Sequence, residues 1–433
     1  MIRFINHASF IVESRGVSLL CDPWISGSAF LNGWNLIAEH PHEGLGDVDY
    51  IWFSHEHPDH FSVAFLRSIA PERRAAITVL YQQTADRRVL TFCRELGFMV
   101  RELEHAKEEL LGGGIRVTCG KIPFYDSWLL IETPDYRILN TNDCILEQPQ
   151  RTNEIRRHVS GCDILFTQFS YANWQDSRDN RQARRDLAAE KLRRIALQCE
   201  TFQPRFVVPF ASFCYFSHVE NAFMNADINT PGDAVHFIEQ SCDATPVLLV
   251  PDEQWDGRTA KDNRSALDWW AKRYAQALSR ERNVAVHSLR FDELFEKAKR
   301  AMERVRKRNN YLLVTSLQRL GMIRRVEFNL VDTGEVVAFD WIDGLQQLPE
   351  PSFNAIEIHS ECLAFIFDHD FGVDTVNVSA RFEGSMRDKR RMIGLFSVLA
   401  LNNTGRRLAF SDSFRLINRS MVHQGLRTIG VLS

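Results

Sequence analysis

Hydrophobic residues in the first 140 positions come in short runs of strand length, separated by polar turns. The runs "SFIVES" and "VSLLCD" are joined by "RG", and "DVDYIWFS" follows them. Further on, "AAITVL" predicts a strand, "LLGGGIRVTCG" a hairpin that turns on Gly112 to Gly114, and "SWLLIE" with "YRILNT" a strand pair around "TPDY". Two helices interrupt these strands, one from Val63 to about Ile69 and one in "TADRRVLTFCRELG".

Strands and helices then alternate. "CDILFTQF", "PRFVVPF" and "PVLLVP" read as strands, and "RQARRDLAAEKLRRIALQCE" as an amphipathic helix. A run of consecutive strands followed by alternating units occurs twice, which predicts an α/β (α+β) protein with two β-rich layers wrapped by helices.

The composition shifts from about Arg258. "SALDWWAKRYAQAL" and "FDELFEKAKRAMERVRKR" predict helices, and the basic end of the second is typical of a solvated helix C-terminus. "RVEFNLVDTGEVVAFDW" then predicts a hairpin around "DTG", and "VDTVNVSARFE" another strand. We therefore expect three parts: a first domain over 1–255, a helical connector over 256–308 and a small α+β domain over 309–433.

Composition narrows the class of protein. A chain of 433 residues with 45% hydrophobic residues is long enough for two or three domains. The net charge is −4, and the sequence shows no dominant basic face, so we expect no nucleic-acid partner. Nine dispersed cysteines suit a reducing compartment. No signal-peptide pattern and no apolar run of membrane length is visible, so we expect a cytoplasmic protein without a membrane partner.

The stretch "SHEHPDHFS" concentrates potential metal ligands directly after a predicted strand. Its spacing is H-x-H-x-D-H, formed by His55, His57, Asp59 and His60. On an extended loop, alternate side chains point the same way, so His55 and His57 can converge on one ion. Asp59 and His60, one step further on, reach a second, and nitrogen with carboxylate ligands suits borderline metals. The alternative is a polar loop with coincidental histidines.

Two adjacent metals need further ligands. Asp143 ends the strand-like "LNTNDC", where a lone aspartate is usually a turn residue, but the histidine motif calls for a bridging carboxylate. His218, in "PFASFCYFSHVEN", is the predicted further ligand, with His236 as the alternative. A lone histidine is more often structural, so His218 is the weaker assignment.

These motifs resemble the metallo-β-lactamase superfamily. "CDPWISGSAFLNGW", "SHEHPDHFS", "ILNTNDC" and "FQPRFVVPFASFCYFSHVEN" are similar to the metal-binding domain of the CMP-N-acetylneuraminate hydroxylase family, over about residues 12–251. The resemblance implies a metallo-β-lactamase αββα sandwich with two metal ions at the sheet edges and a smaller C-terminal α+β domain. Asp22 would hydrogen-bond the metal loop, and His7 would sit near the site rather than in it.

One departure from the superfamily concerns the metal. Most of its hydrolases supply a third histidine to the first metal from the hairpin before the bridging aspartate. Here that hairpin reads "PFYDSWLL", and Asp126 stands at the ligand position, while His105 is in a charged, surface-like stretch. An additional carboxylate favours iron over zinc, with zinc or manganese as alternatives, and oxygen chemistry over hydrolysis.

A second departure concerns electrons. The hydroxylase family carries a Rieske cluster, which needs C-x-H and C-x-x-H pairs, but no cysteine here has a histidine two residues on. An external electron donor, another reductant or the substrate itself would have to supply electrons.

Three functions follow. The first is a di-iron oxygenase that hydroxylates or oxidises a small polar molecule, such as an amino- or acylamino-sugar or its nucleotide. The second is a metal-dependent hydrolase of a phosphodiester, lactone or amide, and the third is a binding protein with an idle metal site. Aromatic residues after strands line a pocket or belong to the core; they are Trp174, Phe213, Tyr215 and Phe216. We expect the C-terminal domain either to cover the site or to mediate the assembly of a homo-oligomer.

Overall fold

Two seven-stranded sheets form the first part of the computed structural model, which describes residues 1–41, 44–122, 126–352 and 354–409. In chain order the strands are β1 (Ile2–Asn6), β2 (Ser9–Ser14), β3 (Val17–Cys21), β4 (Ser28–Ala29), β5 (Trp34–Leu36), β6 (Tyr50–Phe53), β7 (Thr78–Gln82), β8 (Met99–Leu103), β9 (Glu108–Gly112), β10 (Ile115–Lys121), β11 (Ser127–Glu132), β12 (Arg137–Asn142), β13 (Ile164–Gln168), β14 (Phe206–Phe210), β15 (Cys214–Phe216), β16 (Thr245–Pro246), β17 (Gln254–Trp255), β18 (Val326–Leu330), β19 (Val336–Asp340), β20 (Gly344–Leu348), β21 (Ile356–Ile358) and β22 (Phe382–Glu383). The helices are α1 (Val63–Ser68), α2 (Pro71–Arg74), α3 (Arg88–Glu95), α4 (Pro149–Arg156), α5 (Arg181–Phe202), α6 (Pro231–Ser241), α7 (Arg264–Ser279), α8 (Phe291–Arg308), α9 (Tyr311–Arg319), α10 (Ser360–Asp368), α11 (Gly372–Ser379) and α12 (Met386–Asn403), with a 3-10 helix at Ala222–Asp227.

The two large sheets repeat one topology. The first has the order β17-β1-β2-β3-β6-β7-β8 and the second β16-β14-β13-β12-β11-β10-β9. In each, the strands on one side pair antiparallel and those on the other pair parallel, and the change occurs at β3 and β6 in the first sheet and at β11 and β12 in the second. The predicted twofold α/β pattern is therefore confirmed, and the strands β6 and β12 open the parallel half of each sheet.

The first sheet is buried on both faces, which explains its nearly continuous hydrophobic strands. Along β2, Phe10 and Val12 belong to the core between the two large sheets, while Ile11 belongs to the core under α1 and α3. The two sheets meet directly, since the rings of Phe10 and Phe166 stack with centroids 4.3 Å apart. This packing orients the two sheets face to face, with helices outside, as in an αββα sandwich.

The C-terminal part builds its own five-stranded sheet, of order β20-β19-β18-β21-β22. The hairpin predicted around "DTG" is β18 with β19, which pair antiparallel from Val326 with Phe339. Helix α7 packs on the core of the first part, whereas α8 packs on the C-terminal core. That second core also includes residues of the first part, namely Trp24, Ala29, Phe30, Trp34, Leu36, Tyr171, Trp174, Ala188, Phe216 and Met224. The division at 255 and 309 therefore remains a proposal.

Two local predictions were wrong. "PVLLVP" is not a full strand: its pairing with β14 ends at the Val247 N–H, which donates to the carbonyl of Val207 at 2.9 Å, because the next N–H, that of Leu248, donates to the Asn263 side chain instead. "VDTVNVSARFE" forms helix α11 followed by the short strand β22. Its β-branched residues indicated a strand, but Val373 and Val376 are buried three positions apart, as on one face of a helix.

None of the described helices combines the length and the apolar character that a membrane span requires. All nine cysteines are free thiols.

Candidate metal centre

The loop after β6 carries the histidine motif and is folded by its own backbone. The backbone N–H groups of His60 and Phe61 both donate to the carbonyl of His57, at 3.0 and 2.7 Å. Ser62 then caps helix α1 by accepting from the N–H of Phe65 at 3.2 Å. The loop is a tight turn rather than the extended segment expected from the spacing, and this turn brings the side chains together.

The Asp22 carboxylate holds the histidine loop in place through two contacts. Asp22 follows β3 with a left-handed backbone, φ +40°, and one carboxylate oxygen accepts from the N–H of Ser54 at 2.7 Å. The other lies 2.9 Å from His60 Nδ1, so the ring presents Nε2 to the site. This is the role that the resemblance implied for Asp22, and holding the ring in one tautomer prepares it as a metal ligand.

A first group of possible ligands consists of His7, Asp59 and His60, all buried. His7 stands in the turn between β1 and β2, and its Nε2 lies 3.5 Å from Asp59 Oδ2. His60 Nε2 lies at the same 3.5 Å from that oxygen. The structure therefore places His7 inside the cluster, whereas the sequence analysis placed it beside the site.

A second group consists of His55, His57 and Asp143. Ser54 Oγ lies 2.9 Å from His55 Nδ1, which leaves Nε2 of that ring facing His57 Nδ1 at 2.8 Å. Two imidazole nitrogens this close share either a proton or a metal ion. The pairing of His55 with His57, and of Asp59 with His60, follows the division predicted from the motif.

Asp143 links the two groups. It directly follows β12, an inner strand of the second sheet. Its Oδ2 lies 3.7 Å from both His55 Nε2 and His60 Nε2. A carboxylate at equal distance from one ligand of each group occupies the place that a bridging ligand would take.

Buried atoms without partners test whether metal ions fit here. Within the described residues, five such atoms lie in the two groups and form no hydrogen bond: His7 Nδ1, His7 Nε2, Asp59 Oδ1, His60 Nε2 and Asp143 Oδ1. Unsatisfied buried polar atoms are costly, and several converging on one spot indicate a missing partner. All ligand atoms within each group lie within 4.8 Å of one another, so the residues fit one ion in each group.

Charges in the cluster shift the pKa values strongly. Burial lowers the pKa of His55 to about 3, and burial also lowers that of His7. Burial alone would lower the pKa of His60, but the carboxylates of Asp59, Asp143 and Asp22 outweigh it and raise this pKa to about 10. The centre without metal is thus a dense set of mutually dependent charges, which is typical of functional sites.

Asp126 lies beside the second group rather than inside it. Its Oδ1 is 3.9 Å from His55 Nδ1, the ring nitrogen that faces away from Asp143. Burial and the neighbouring carboxylate of Asp143 raise the pKa of Asp126. The preceding residues of the predicted hairpin, 123–125, lie outside the described residues. The ligand role of Asp126 stays a prediction.

His218 is a second predicted ligand, after Asp126, that belongs to neither group. It is buried, with its Nδ1 3.1 Å from Glu220 Oε2, and Glu220 in turn pairs with Arg381. The alternative, His236, is exposed on α6, and His105 is exposed as expected. The ligand role of His218 also stays a prediction, and the third residue that the structure groups with Asp59 and His60 is His7.

The C-terminal part approaches the metal loop. Arg88 Nη2 pairs with Glu56 in the loop at 2.5 Å, and Arg88 Nη1 donates to Asn403, near the end of α12, at 2.6 Å. The aromatic residues considered for a pocket are buried core residues instead, namely Trp174, Phe213, Tyr215 and Phe216.

We expect Asp22→Ala to weaken metal binding by about 10- to 100-fold, the range found when a residue that orients a ligand is removed. The variant loses the acceptor for Ser54 N–H and frees the His60 ring. Competition with a chromophoric chelator measures the affinity. Asp49→Ala is the matched control, because Asp49 also accepts from a backbone N–H, that of Ser18 at 2.8 Å, but contacts no ligand. Equal affinities of the wild type and Asp22→Ala would contradict the role of Asp22.

Comparison with known proteins shows what this chain is similar to. Residues 1–121 match the β-lactamase superfamily domain. The chain is 23% identical over 290 residues to cytidine monophosphate-N-acetylneuraminic acid hydroxylase of Danio rerio, covering 61% of this chain and 47% of the relative. The chain thus spans about half the length of the curated relatives it matches.

Two solved structures that are similar to part of this chain are a hydroxylase and a hydrolase. The di-iron β-hydroxylase CmlA of Streptomyces venezuelae has a TM-score of 0.41 and 16% identity, over 57% of this chain and 52% of that one. An isothiocyanate hydrolase from Delia radicum gut bacteria has a TM-score of 0.42 and 14% identity, over 58% and 97%. Residues 1–121 thus resemble the β-lactamase superfamily domain, and the sheet topology shows an α/β fold with two seven-stranded sheets that each have an antiparallel and a parallel half.

Proposed function

We propose that this protein is a dinuclear metal-dependent oxygenase, with iron as its metal, that hydroxylates or oxidises a small polar substrate. The substrate class is an amino- or acylamino-sugar or its nucleotide, because the similarity of sequence extends over 61% of the chain to a hydroxylase of such a compound. The observation that carries the proposal is the pair of ligand groups joined by Asp143, with a third carboxyl group, that of Asp126, next to them.

The number of carboxylate ligands affects whether the centre prefers zinc or iron. Asp59 and Asp143 belong to the two ligand groups, and Asp126 would add a third acidic group as a further ligand. Hard oxygen donors shift preference from zinc towards iron or manganese. When bound, iron would supply the one-electron and oxygen chemistry that no amino-acid side chain provides. His7, Asp59 and His60 would hold one ion, and His55, His57 and Asp143 the other.

The chain's own residues then prepare the centre. Asp22 and Ser54 each occupy the Nδ1 side of a histidine ring, so that Nε2 faces the centre. Phe30 lies against His57, with ring centroids 5.6 Å apart, and Trp24 against His7 at 5.2 Å. These aromatic rings exclude water from one side of the ligands, which strengthens electrostatic interactions within the site. Electrons would come from an external donor.

A metal-dependent hydrolase of a phosphodiester, lactone or amide is the second candidate. The observation that favours it is the His55 and His57 pair, since imidazole nitrogens also suit zinc. In that case a metal-bound water would be the nucleophile, and no electron donor would be needed.

Reconstitution with different metals tests the proposal. We expect apoprotein loaded with iron to consume oxygen in the presence of a chemical reductant and an acylamino-sugar nucleotide, and zinc-loaded protein to consume none. An oxygen electrode measures the uptake, and iron-loaded Asp59→Asn, which lacks one carboxylate charge, is the control for free iron. Zinc-loaded protein that cleaves phosphodiesters or lactones, beside iron-loaded protein that never consumes oxygen, would replace the oxygenase with the hydrolase.

A further inference from the structure

Lys191 lies on α5 at the same sheet edge as the metal centre, although it belongs to neither ligand group. Its Nζ donates to Gln168 Oε1 at 2.5 Å. Gln168 is the last residue of β13, and β13 pairs parallel with β12, the strand that leads into Asp143. Because the carboxyl ends of neighbouring parallel strands share one edge, the Lys191 ammonium is held beside the strand end that carries the bridging aspartate.

Lys191 forms no ion pair, although three carboxylates lie near it. Across the described ranges, no carboxylate lies within 4.0 Å of its Nζ, and its hydrogen-bond partner is a neutral amide. The side chain is half-buried. Burial lowers the pKa of Lys191 to about 7, the nearby Arg194 lowers it further, and the carboxylates of Asp143, Glu147 and Glu190 act in the opposite direction. Glu147 and Glu190 pair with Arg194, and Asp143 belongs to a ligand group, so none of the three is paired with Lys191. A half-buried ammonium without a paired carboxylate is costly, and a bound anion would reduce that cost.

We propose that Lys191 binds an anionic group of the substrate, a carboxylate or a phosphate, beside the metal centre. The inference rests on the proposed function in one respect, since it takes the two ligand groups as the place of reaction. A lysine ammonium acts as a point charge that accepts either anion, and Gln168 fixes its position. Lys191 is thus a specificity-determining residue, and the substrate is an acid rather than a neutral or cationic molecule.

Charge-matched probes test this inference without any turnover. The protein is loaded with zinc, which excludes redox reactions, and binding is measured by calorimetry at pH 6, where Lys191 is protonated. The carboxylate pair is N-acetylglycine and N-acetylglycinamide, and the phosphate pair is cytidine monophosphate and cytidine. We expect one anionic probe to bind more tightly than its neutral partner, and Lys191→Met to weaken its binding by about 10- to 100-fold, the range of a charge-assisted hydrogen bond.

Three controls make the result specific. Lys191→Arg keeps the charge and should restore most of the affinity, and Lys272→Met, on the exposed face of α7, should change nothing. Metal content should be equal or higher in Lys191→Met, because removing a cation near two metal ions cannot weaken their binding electrostatically. The pair that responds tells whether the group is a carboxylate or a phosphate.

Three results would overturn the inference. They are an equal loss of affinity for the charged and neutral probes, a loss of metal in Lys191→Met, and a wild-type protein that prefers neither anionic probe. Failure of oxygen uptake with iron would remove the oxygenase proposal but leave these binding results intact, so the two failures are distinguishable.

Discussion

Asp143→Ala should lose both metal ions, not one. Asp143 Oδ2 lies 3.7 Å from a histidine nitrogen of each ligand group, so removing it takes a shared donor from both. Removing a residue that only orients a ligand weakens binding about 10- to 100-fold, and the loss of a direct, shared ligand should exceed about 100-fold. Mass spectrometry of the metal content, after dialysis against a buffer of fixed free-metal concentration, gives the number of ions per chain.

The control for this variant is Asp163→Ala. Asp163 is also a carboxylate of the second sheet that accepts from a backbone N–H, that of Arg137 at 2.7 Å, but it lies at the opposite strand ends. Two tightly bound ions in Asp143→Ala would show that the bridge is assigned to the wrong residue.

The same assay decides between His7 and His218 as the third ligand of the first group. The geometry favours His7, because its Nε2 lies 3.5 Å from Asp59 whereas His218 contacts Glu220. We therefore expect His7→Ala to lose one ion and His218→Ala to keep both. The opposite result would restore the original assignment of His218.

The clustering of His55, His57, Asp59 and His60 was predictable because these residues are close together in the chain. Four candidate ligands lie within six residues after a hydrophobic strand, and residues so close in the chain stay close in space whatever the surrounding fold. Asp143 was singled out because it follows a strand and the histidine motif calls for a bridging carboxylate; the structure brings it to the histidines, and its bridging role stays a prediction. The turn at His57 was not predictable, because the spacing alone does not distinguish an extended loop from a turn.

Contacts between residues far apart in the chain could not be predicted from one sequence. His7 stands more than fifty residues before Asp59, in a hairpin whose position depends on how the two sheets pack. Helix α11 was read as a strand because Val373, Val376 and Val378 are β-branched, and its contact with the C-terminal core overrode that local preference. Lys191 belongs to a helix whose charged face reads as an ordinary solvated surface, and only the position of Gln168 shows that it points towards the site.

Arg381 provides the clearest example of such a distant contact, because its side chain joins the two parts of the chain. It is 1% exposed, and its Nε lies 2.5 Å from Glu220 of the first part, while its Nη1 lies 2.6 Å from Glu361 of α10. The same Nη1 donates to the carbonyl of Leu31 at 2.7 Å. One guanidinium therefore neutralises two carboxylates that come from opposite sides of the junction.

We expect Arg381→Met to lower the free energy of unfolding by about 3–5 kcal/mol, the usual effect of removing one partner from a buried ion pair. Methionine fills much of the volume but leaves Glu220 and Glu361, which are only 17% and 19% exposed, without their counter-charge. Urea unfolding followed by tryptophan fluorescence measures the change. Arg391→Met is the control, since Arg391 is 29% exposed and lies 3.6 Å from Asp388, a geometry worth less than about 1 kcal/mol. Equal destabilisation by the two variants would show that Arg381 contributes no more than a surface pair, and that the apolar core shared by the two parts holds them together.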